Sequence, residues 1–339
     1  MSWAWALATF VPALAAFAAI ALLRRSRWAA LLADTPNERS LHSVPTPRVG
    51  GLGLMAGALP VGALFADGPL SVLFACAGLL ALVSFADDRQ SLPIEVRLPA
   101  HLAAASMAVL AIAAPGAGHP GLGAVEATVA VAALVWMTNL FNFMDGSDGL
   151  AGGMGSIGFA ALSAAAAGAG AMPLALGAAA IAAASLGFLA HNFPPARVFL
   201  GDAGSVPLGF LGGALGLYGM LSGAWPWWFP LVVFSPFIAD ATVTLLRRAL
   251  RGERFWRAHR SHYYQRLVLA GWTRRGLALS GYALMLAAAA SALLGLRAEV
   301  KTQFGIILVW AGAYALLFVA VERRARGLVP TPRAFGQEQ

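Results

Sequence analysis

Charged residues and cysteine are both scarce in this sequence of 339 residues. Asp, Glu, Lys and Arg make up only 11% of the chain, whereas ordinary soluble domains carry about 25%. Hydrophobic residues make up 59%, and the mean hydropathy is +0.73. These values exclude an ordinary soluble globular protein and predict an all-α, polytopic integral membrane protein. Cys76 is the only cysteine, which excludes any disulfide within the chain.

Lysine is nearly absent as well, since Lys301 is the only one among 23 basic residues. A net charge of +8 and a sequence pI near 10.7 could suggest nucleic-acid binding. The basic residues cluster instead in short loops between apolar runs, the pattern that orients membrane proteins and contacts anionic headgroups. We therefore expect membrane lipids, and no nucleic acid, as partners.

Apolar runs predict about eleven transmembrane helices in a single domain over residues 1–339. Most runs reach the ~17–25 residues that cross the hydrocarbon core. The predicted spans are 3–23, 50–66, 69–86, 98–115, 124–144, 149–168, 171–190, 203–221, 226–246, 277–296 and 304–321. An odd number of spans places the two termini on opposite sides of the membrane.

The distribution of basic residues predicts which face is cytoplasmic. The segments expected at one face are 24–49, 87–97, 145–148, 191–202, 247–276 and the tail 322–339. They contain 21 of the 23 Lys and Arg residues, and the opposite face has only Arg297 and Lys301. The positive-inside rule therefore places the N-terminus outside, the C-terminus inside and every polar motif at the cytoplasmic face. A carrier more often places polar groups along a path through the midplane, so an enzyme is favoured.

Four polar side chains recur at intervals of three residues near the end of the fifth predicted span. They are Asn139, Asn142, Asp145 and Asp148, and two glycines interrupt the same segment. Helical spacing would place the four on one face, while the glycines predict a break where the chain can approach a ligand. Caps and turns would explain one or two of these residues, but not four. Asp145 and Asp148 are candidate catalytic residues, and Asn139 and Asn142 are candidate substrate contacts.

Three further aspartates lie where apolar segments begin or end. Asp87 and Asp88 lie at the end of the third span. Adjacent carboxylates repel, so at least one of them needs a nearby cation or a raised pKa. The alternative is an ordinary helix end in contact with solvent. Asp202 follows Gly201 before the eighth span, where it either caps the helix or helps to present N–H groups to a phosphate. Asp87 and Asp88 are candidate catalytic residues, and Gly201 is a candidate substrate contact. With Asp202 the pair also forms a candidate site for Mg²⁺, which favours one or two carboxylates plus phosphate oxygens.

A proline-rich segment and a buried acid supply further candidate substrate contacts. Arg39, His42 and Arg48 lie in the segment 36–51, and the alternative for this segment is an ordinary connecting loop. Asp240 lies inside a predicted span, ~10 Å along the helix before the first arginine of the next loop. All four are candidates for binding substrate.

The loop 247–276 contains nine arginines and two histidines three residues apart. A positive loop lying on anionic lipid explains most of the arginines. His259, Arg260 and His262 are candidates for contacting a diphosphate or carrying a proton near neutral pH. His259 is therefore a candidate catalytic residue, and Arg260 and His262 are candidate substrate contacts.

Taken together, these motifs resemble the polyprenyl-phosphate N-acetylhexosamine-1-phosphate transferase superfamily of the MraY/WecA type (glycosyltransferase 4 family). The resemblance covers roughly residues 34–275. It rests on the strings SLHSVPTPRVGG, FADD, NLFNFMDGSDGLAGG, FLGDAGSVPLG, PFIADATVTLLRR and AHRSHYYQRL. It implies ten or eleven transmembrane helices in the bacterial inner (plasma) membrane and an active site at the cytoplasmic face.

The reaction that the resemblance implies moves a sugar-1-phosphate from a UDP-sugar to undecaprenyl phosphate, with Mg²⁺ or Mn²⁺, and releases UMP. By motif position, Asp87 and Asp88 match the family's aspartate pair, and Asp145 and Asp148 match its second acidic motif. Asp202 matches the aspartate associated with the metal, and His259 and His262 match the histidine motif. A homodimer and a two-step route through an aspartyl-phosphate both stay open at this point.

The histidine motif bears on the donor sugar. The peptidoglycan branch of the superfamily carries three consecutive histidines, whereas this chain has His-Arg-Ser-His at 259–262. This pattern resembles the branch that initiates O-antigen and other surface polysaccharides. It favours UDP-linked N-acetylglucosamine, N-acetylfucosamine or N-acetylquinovosamine as the donor. A phospho-MurNAc-pentapeptide transferase is the alternative, and a membrane carrier for nucleotide sugar or lipid phosphate is the alternative from another class.

Overall fold

The computed structural model of the protein describes residues 2–36, 44–114, 121–254 and 259–326. Its helices are α1 (Ser2–Arg24), α2 (Arg27–Leu31), α3 (Gly50–Phe65), α4 (Gly68–Gln90), α5 (Ile94–Ile112), α6 (Ala124–Phe143), α7 (Leu150–Gly168), α8 (Met172–Asn192), α9 (Asp202–Leu221), α10 (Trp228–Val233), α11 (Ser235–Leu250), α12 (Tyr263–Leu269), α13 (Arg274–Gly295) and α14 (Val300–Arg326). The only strands within these ranges are the two-residue β1 (Ala33–Asp34) and β2 (Thr46–Pro47), which pair antiparallel.

The prediction of an all-α polytopic membrane protein is confirmed. In the described part of the chain, nine helices are long and apolar enough to cross a membrane, namely α1, α4 to α9, α13 and α14. They coincide with nine of the predicted spans. The predicted span 50–66 is α3, which is apolar but only 16 residues long. The total of eleven spans and the orientation across the membrane stay predictions.

The prediction of one continuous helix over 226–246 is wrong. The segment forms two helices, α10 and α11, which meet at Phe234. Pro236 lies in the first turn of α11, the place in a helix where a missing N–H removes no hydrogen bond. The chain therefore starts a new helix here, and that helix continues to Leu250.

Small residues let α7 and α8 pack tightly inside the bundle. Both helices consist largely of alanine and glycine and are mostly buried, whereas α1 and α14 are mostly exposed. Lipid tails are as apolar as the helices, so association depends on close backbone approach and dispersion contacts. Where α8 crosses α1, a Cβ on Gly187 would lie 2.3 Å from the carbonyl oxygen of Ala13. This crossing therefore requires glycine.

Phenylalanine rings fix the position of α11 against the end of α6. The Phe141 ring lies 5.0 Å from that of Phe237 and 6.2 Å from that of Phe234, measured between centroids. Phe234 in turn lies 5.8 Å from Phe159 of α7, and all four side chains are fully buried. Edge-to-face pairs of this kind add to the energy of burial. They bring the segment that follows α11 toward the C-terminal end of α6.

The C-terminal ends of α4 and α6 meet the N-terminal end of α9 at one end of the bundle, since α9 packs against both helices. The loop before α9 is also tied to the start of α3. The N–H groups of Gly50 and Gly51 donate to the carbonyl oxygens of Phe199 and Leu200 at 2.9 and 2.8 Å. These contacts hold the start of α9 in place beside the end of α4.

We expect Gly187→Ala to destabilise the protein by about 1–3 kcal/mol, the usual range for overpacking, because the new methyl group meets backbone that has no room to move. Gly312→Ala in α14 is the matched control, since a Cβ there meets nothing within 4 Å. Thermal unfolding in detergent should show a lower midpoint for Gly187→Ala alone. Equal midpoints for the two variants would contradict the close packing of α1 and α8.

Candidate active site

Four aspartates from three parts of the chain meet where α4, α6 and α9 come together. We call Asp87, Asp88, Asp145 and Asp202 the acidic cluster. Asp145 interacts electrostatically with Asp88 and Asp202 and accepts a hydrogen bond from the Gly201 N–H. Asp202 lies within hydrogen-bonding distance of Asp87. The structure thus brings together four of the carboxylates that the sequence singled out.

Asp88 joins the end of α4 to the start of α9. Its carboxylate oxygens accept the N–H groups of Asp202 at 3.2 Å and Ala203 at 3.0 Å. The first N–H groups of a helix have no partner within the helix, and a carboxylate there is favoured by the helix dipole. Gly201 makes the approach possible, because its φ is +72° and a Cβ would lie 2.8 Å from an Asp88 oxygen. Asp88 therefore positions α9, and Gly201 permits the close approach of the Asp88 carboxylate to the start of that helix.

Arg97 at the start of α5 bridges two members of the acidic cluster. Its Nη1 lies 3.0 Å from Asp87 Oδ2 and 4.0 Å from Asp202 Oδ2. The second oxygen of Asp87 accepts the N–H of Leu92 at 2.6 Å. Arg97 was missed as a site residue in the sequence. A basic residue at the start of a span, ten positions after Asp87, was the available signal.

Arg48 supplies a second positive charge to the acidic cluster. Its guanidinium binds Asp34 at 2.8 Å and lies 3.9 Å from Asp88. With Arg97, two guanidinium groups therefore face five carboxylates, those of the acidic cluster and of Asp34, which leaves a formal charge of −3 on this set. The other two candidates from the same segment, Arg39 and His42, lie outside the described residues.

A cavity of about 170 Å³ opens beside the acidic cluster between α4, α5, α6 and α9. The polar residues in its lining are Ser84, Asp87, Arg97, His101, Asn139, Asn142 and Asp202. Asn139 is held by the Val135 carbonyl oxygen, to which its side-chain amide donates at 2.7 Å. Asn142 forms a side-chain hydrogen bond with Asp202. Both asparagines predicted to contact substrate therefore face the same space as Asp87 and Asp202.

Repulsion within the acidic cluster makes it unfavourable for all four carboxylates to be ionised without a neighbouring cation. Burial and the nearby carboxylates of Asp202 and Asp88 hold the pKa of Asp145, in the loop between α6 and α7, well above its usual range. Asp145 accordingly keeps its proton or requires a neighbouring cation. A ligand that brings positive charge into this space would relieve the repulsion.

Asp148 lies apart from these contacts. α6 ends at Phe143, so the residues beyond it do not continue the helical face. The buried Asp148 accepts the N–H of Ala196 at 3.1 Å and lies 3.5 Å from a guanidinium nitrogen of Arg274. These contacts tie the turn before α7 to the loop after α8 and to α13. The structure therefore groups Asn139, Asn142 and Asp145 with the acidic cluster but gives Asp148 other partners.

Asp240 organises the segment that carries the histidines. Its carboxylate accepts the N–H groups of Tyr263 and Tyr264, both at 2.9 Å, and lies 3.2 Å from His262 Nδ1. The Oγ1 of Thr244 donates to it at 3.2 Å. These partners account for the buried carboxylate. Asp240, predicted as a substrate contact, thus caps α12 and orients His262.

The histidine segment docks on the end of α6. The hydroxyl of Tyr264 donates to the Phe143 carbonyl oxygen at 3.0 Å, and the His262 ring stacks on Phe143 with centroids 6.2 Å apart. The His259 ring stacks on His262 at 5.0 Å. Both histidines therefore lie on the side of α6 that leads to Asp145. Arg260 lines a different cavity, at the end of α11.

Comparison with known proteins agrees with this geometry. The family model described as Glycosyl transferase family 4 matches residues 70–220, the stretch from α4 to α9 that holds the whole acidic cluster. This match covers 151 of the 339 residues, a little under half of the chain. The resemblance to the polyprenyl-phosphate hexosamine-1-phosphate transferase superfamily, inferred from the motifs, is confirmed.

Individual proteins to which the chain is similar carry three kinds of name. It is 28% identical over 151 residues to a probable undecaprenyl-phosphate N-acetylglucosaminyl 1-phosphate transferase of Bacillus subtilis, covering 44% of this chain and 41% of that one. It is 29% identical over 295 residues to the decaprenyl-phosphate N-acetylglucosaminephosphotransferase of Mycobacterium tuberculosis, with 73% and 71% covered. It is 32% identical over 120 residues to the phospho-N-acetylmuramoyl-pentapeptide-transferase of Synechococcus elongatus, with 33% and 31% covered. The chain thus spans less than half of the first and third of these relatives.

The carboxylates of the acidic cluster are donors of the kind that a hard divalent cation prefers. Among the described residues, no group of three or more His, Cys, Asp or Glu side chains is arranged as a metal centre. Mg²⁺ does not need one, because it usually binds one or two carboxylates and completes its shell with water and phosphate oxygens. The oxygens of Asp88 accept N–H groups of α9, and Asp87 pairs with Arg97. The carboxylate of Asp202, whose side chain is 26% exposed, is the most accessible donor of the three predicted ligands.

We expect the two Asp88 substitutions to separate hydrogen bonding from charge. Asp88→Ala leaves two N–H groups of α9 without their acceptor and should lower the free energy of unfolding by about 1–3 kcal/mol. Asp88→Asn keeps an acceptor for one of the two N–H groups and removes one negative charge from the acidic cluster, so it should lose less stability than Asp88→Ala. Asp67→Ala is the control, because Asp67 precedes α4 without capping it. Equal stability of Asp88→Ala and Asp88→Asn in metal-free detergent solution would contradict this role.

His259 should make stability depend on pH. Burial, and then the proximity of His262 and Arg248, lowers the pKa of His259 from 6.5 to about 4, although Asp240 opposes this change. Between pH 6.5 and about pH 4, the unfolded chain therefore binds a proton at His259 and the folded chain does not. The free energy of unfolding consequently falls as the pH drops through this range. His259→Gln should lose less stability than the wild type between pH 7 and pH 4.5 in thermal unfolding. An identical loss in both proteins would show that His259 is not held neutral.

Proposed function

We propose that this protein transfers an N-acetylhexosamine-1-phosphate from a UDP-sugar to a polyprenyl phosphate in cell-envelope synthesis. The observation that carries the proposal is the acidic cluster with Arg48 and Arg97, held at the ends of α4, α6 and α9 within the stretch matched by the family model. Two relatives act, by their names, on undecaprenyl or decaprenyl phosphate and N-acetylglucosamine. We propose undecaprenyl phosphate as the lipid acceptor here.

The proposed chemistry is phosphoryl transfer between two anions, which depends on alignment and charge neutralisation more than on covalent catalysis. An oxygen of the lipid phosphate attacks the β-phosphorus of the UDP-sugar. A new P–O bond forms there, the bond from the β-phosphorus to the bridging oxygen breaks, and UMP leaves with that oxygen. The product is a lipid-diphosphate-sugar.

The roles proposed for the residues follow from their accessibility. Asp202, together with Asp87, would hold Mg²⁺ or Mn²⁺, which supplies charge neutralisation for the diphosphate. Arg97 and Arg48 neutralise phosphate oxygens once ligand charge enters the cavity. Asp87 is a better proton acceptor than Asp88, because its side chain is 8% exposed whereas that of Asp88 is 1% exposed. Asn142 orients Asp202, to which it is hydrogen-bonded.

The histidine segment is proposed to close the other side of the site. His259 is neutral at pH 7 because its pKa is lowered to about 4, so it acts there as a hydrogen-bonding group. His262 is oriented by Asp240 and contacts substrate through the ring nitrogen that Asp240 does not face. We further propose that this site faces the cytoplasm, which the distribution of basic residues supports.

Two observations bear on the identity of the donor sugar. The names of two relatives favour UDP-N-acetylglucosamine, and the His-Arg-Ser-His motif also favours N-acetylfucosamine and N-acetylquinovosamine in O-antigen or related synthesis. The second candidate is a phospho-MurNAc-pentapeptide transferase, which the name of the Synechococcus elongatus relative supports.

Purified protein should release UMP only when undecaprenyl phosphate, Mg²⁺ and a UDP-sugar are all present. UDP-N-acetylglucosamine, UDP-N-acetylfucosamine and UDP-MurNAc-pentapeptide are offered in parallel, and UMP and lipid product are quantified. Asp202→Asn should reduce turnover by about 10²–10³-fold, the scale on which loss of one transition-state charge stabiliser acts. Glu126→Gln at the far end of α6 is the control and should keep wild-type turnover.

Wild-type turnover and Mg²⁺ dependence in Asp202→Asn would remove Asp202 from the proposed metal site. Transport of nucleotide sugar without UMP formation, across the whole donor panel, would instead support a carrier and overturn the proposed reaction.

A further inference from the structure

A second polar cavity lies at the end of α11. Its volume is about 200 Å³, several times the ≈30 Å³ that a water molecule occupies in the liquid. The charged residues in its lining are Arg247, Arg248, Arg251, Arg260, Arg266 and Glu253. We call this cavity the arginine pocket. Among the described residues, it shares no lining residue with the cavity beside the acidic cluster.

The arginine pocket carries more positive charge than its carboxylates can balance. Arg248 pairs with Glu253 at 2.7 Å. Arg247 and Arg266 both bind one oxygen of Glu322, which reaches the wall of the pocket from α14. Five guanidinium groups thus face two carboxylates, and the formal charge of the set is +3. A concave site with this excess attracts anions.

The donors in the arginine pocket suit phosphate oxygens. Arginine presents several N–H donors in a planar fork that matches two oxygens of a phosphate group. Arg248 uses Nη1 to donate to Ser261 Oγ at 3.1 Å, while its buried Nε has no hydrogen-bond partner in the described part of the chain. The Arg251 side chain is exposed at the rim. These groups leave donor capacity for a bound anion.

The position of the arginine pocket points to a lipid as the source of that phosphate. Arg247 and Arg248 lie in the last turn of α11, and Glu322 lies near the end of the membrane-spanning helix α14. Leu269 lines the pocket, and its side chain is exposed. Basic groups beside an exposed leucine at the end of membrane helices match the boundary between headgroups and acyl chains.

We infer that the arginine pocket is a binding site for the phosphate headgroup of an anionic phospholipid, separate from the site of the proposed reaction. The phosphate oxygens bind the guanidinium groups, and the acyl chains lie against Leu269. The bound lipid joins α11 to the loop before α12. Because Asp240 of α11 and His262 before α12 belong to the same two elements, the lipid also steadies the histidine segment. This inference does not depend on the proposed transfer reaction.

Thermal unfolding of the full chain in neutral detergent tests the inference. Dioctanoyl phosphatidylglycerol is titrated in parallel with dioctanoyl phosphatidylcholine and sodium phosphate. The variant is Arg248→Gln/Arg251→Gln, and the matched control is Arg275→Gln/Arg323→Gln, which removes the same charge from exposed arginines outside the pocket. Arg251→Gln alone serves as a second variant, because this side chain is exposed and forms no hydrogen bond or ion pair in the described part of the chain.

Phosphatidylglycerol should raise the unfolding midpoint of the wild type and of the control by several degrees, and the other two additives should not. Half-saturation should require about tenfold more phosphatidylglycerol in the double variant, and a smaller increase in Arg251→Gln. Unchanged half-saturation in both pocket variants would overturn the site. An equal rise with phosphatidylcholine, or with sodium phosphate alone, would overturn the assignment to an anionic lipid headgroup.

Discussion

Negative charge held between the ends of three helices is the constraint on which the rest of this structure depends. Four carboxylates approach one another in a place largely shielded from water, where repulsion is strong and hydration is weak. The structure balances them with the N–H groups at the start of α9 and with Arg48 and Arg97. The balance is incomplete, since these two guanidinium groups face the four carboxylates of the acidic cluster and that of Asp34. The remaining negative charge favours a bound cation, which would in turn attract a phosphorylated ligand.

Tight packing elsewhere in the bundle holds the carboxylates and arginines of this site in position. Alanine and glycine in α7 and α8 let the backbones approach closely, and the phenylalanines of α6, α7 and α11 fill the space beside them. The same phenylalanines place α11, which carries Asp240 and through it the start of α12. The histidine segment, although distant in sequence from the acidic cluster, is therefore set against the end of α6 by buried contacts rather than by its own conformation.

Much of this arrangement could be predicted from the sequence because apolar length and charge placement are strong signals in membrane proteins. The aspartates at the ends of the spans were recognised, and four of them meet in the structure. The partners of individual groups could not be predicted. The residues near each aspartate in the sequence do not show that Asp88 accepts a hydrogen bond from a helix that begins 114 residues later. They also do not show that Asp148 pairs with Arg274 or that Asp240 accepts hydrogen bonds from backbone N–H groups. Arg97 was missed because its importance comes from two carboxylates that only folding brings to it.

The central claim is that the acidic cluster binds a divalent cation through Asp202, and binding of Mn²⁺ measured by electron paramagnetic resonance tests it most directly. We expect the wild type and Glu126→Gln to bind Mn²⁺ at a single site, with affinity that increases when a UDP-sugar is present. Asp202→Asn should lose this site while remaining folded. Mn²⁺ binding of wild-type affinity in folded Asp202→Asn would contradict the account.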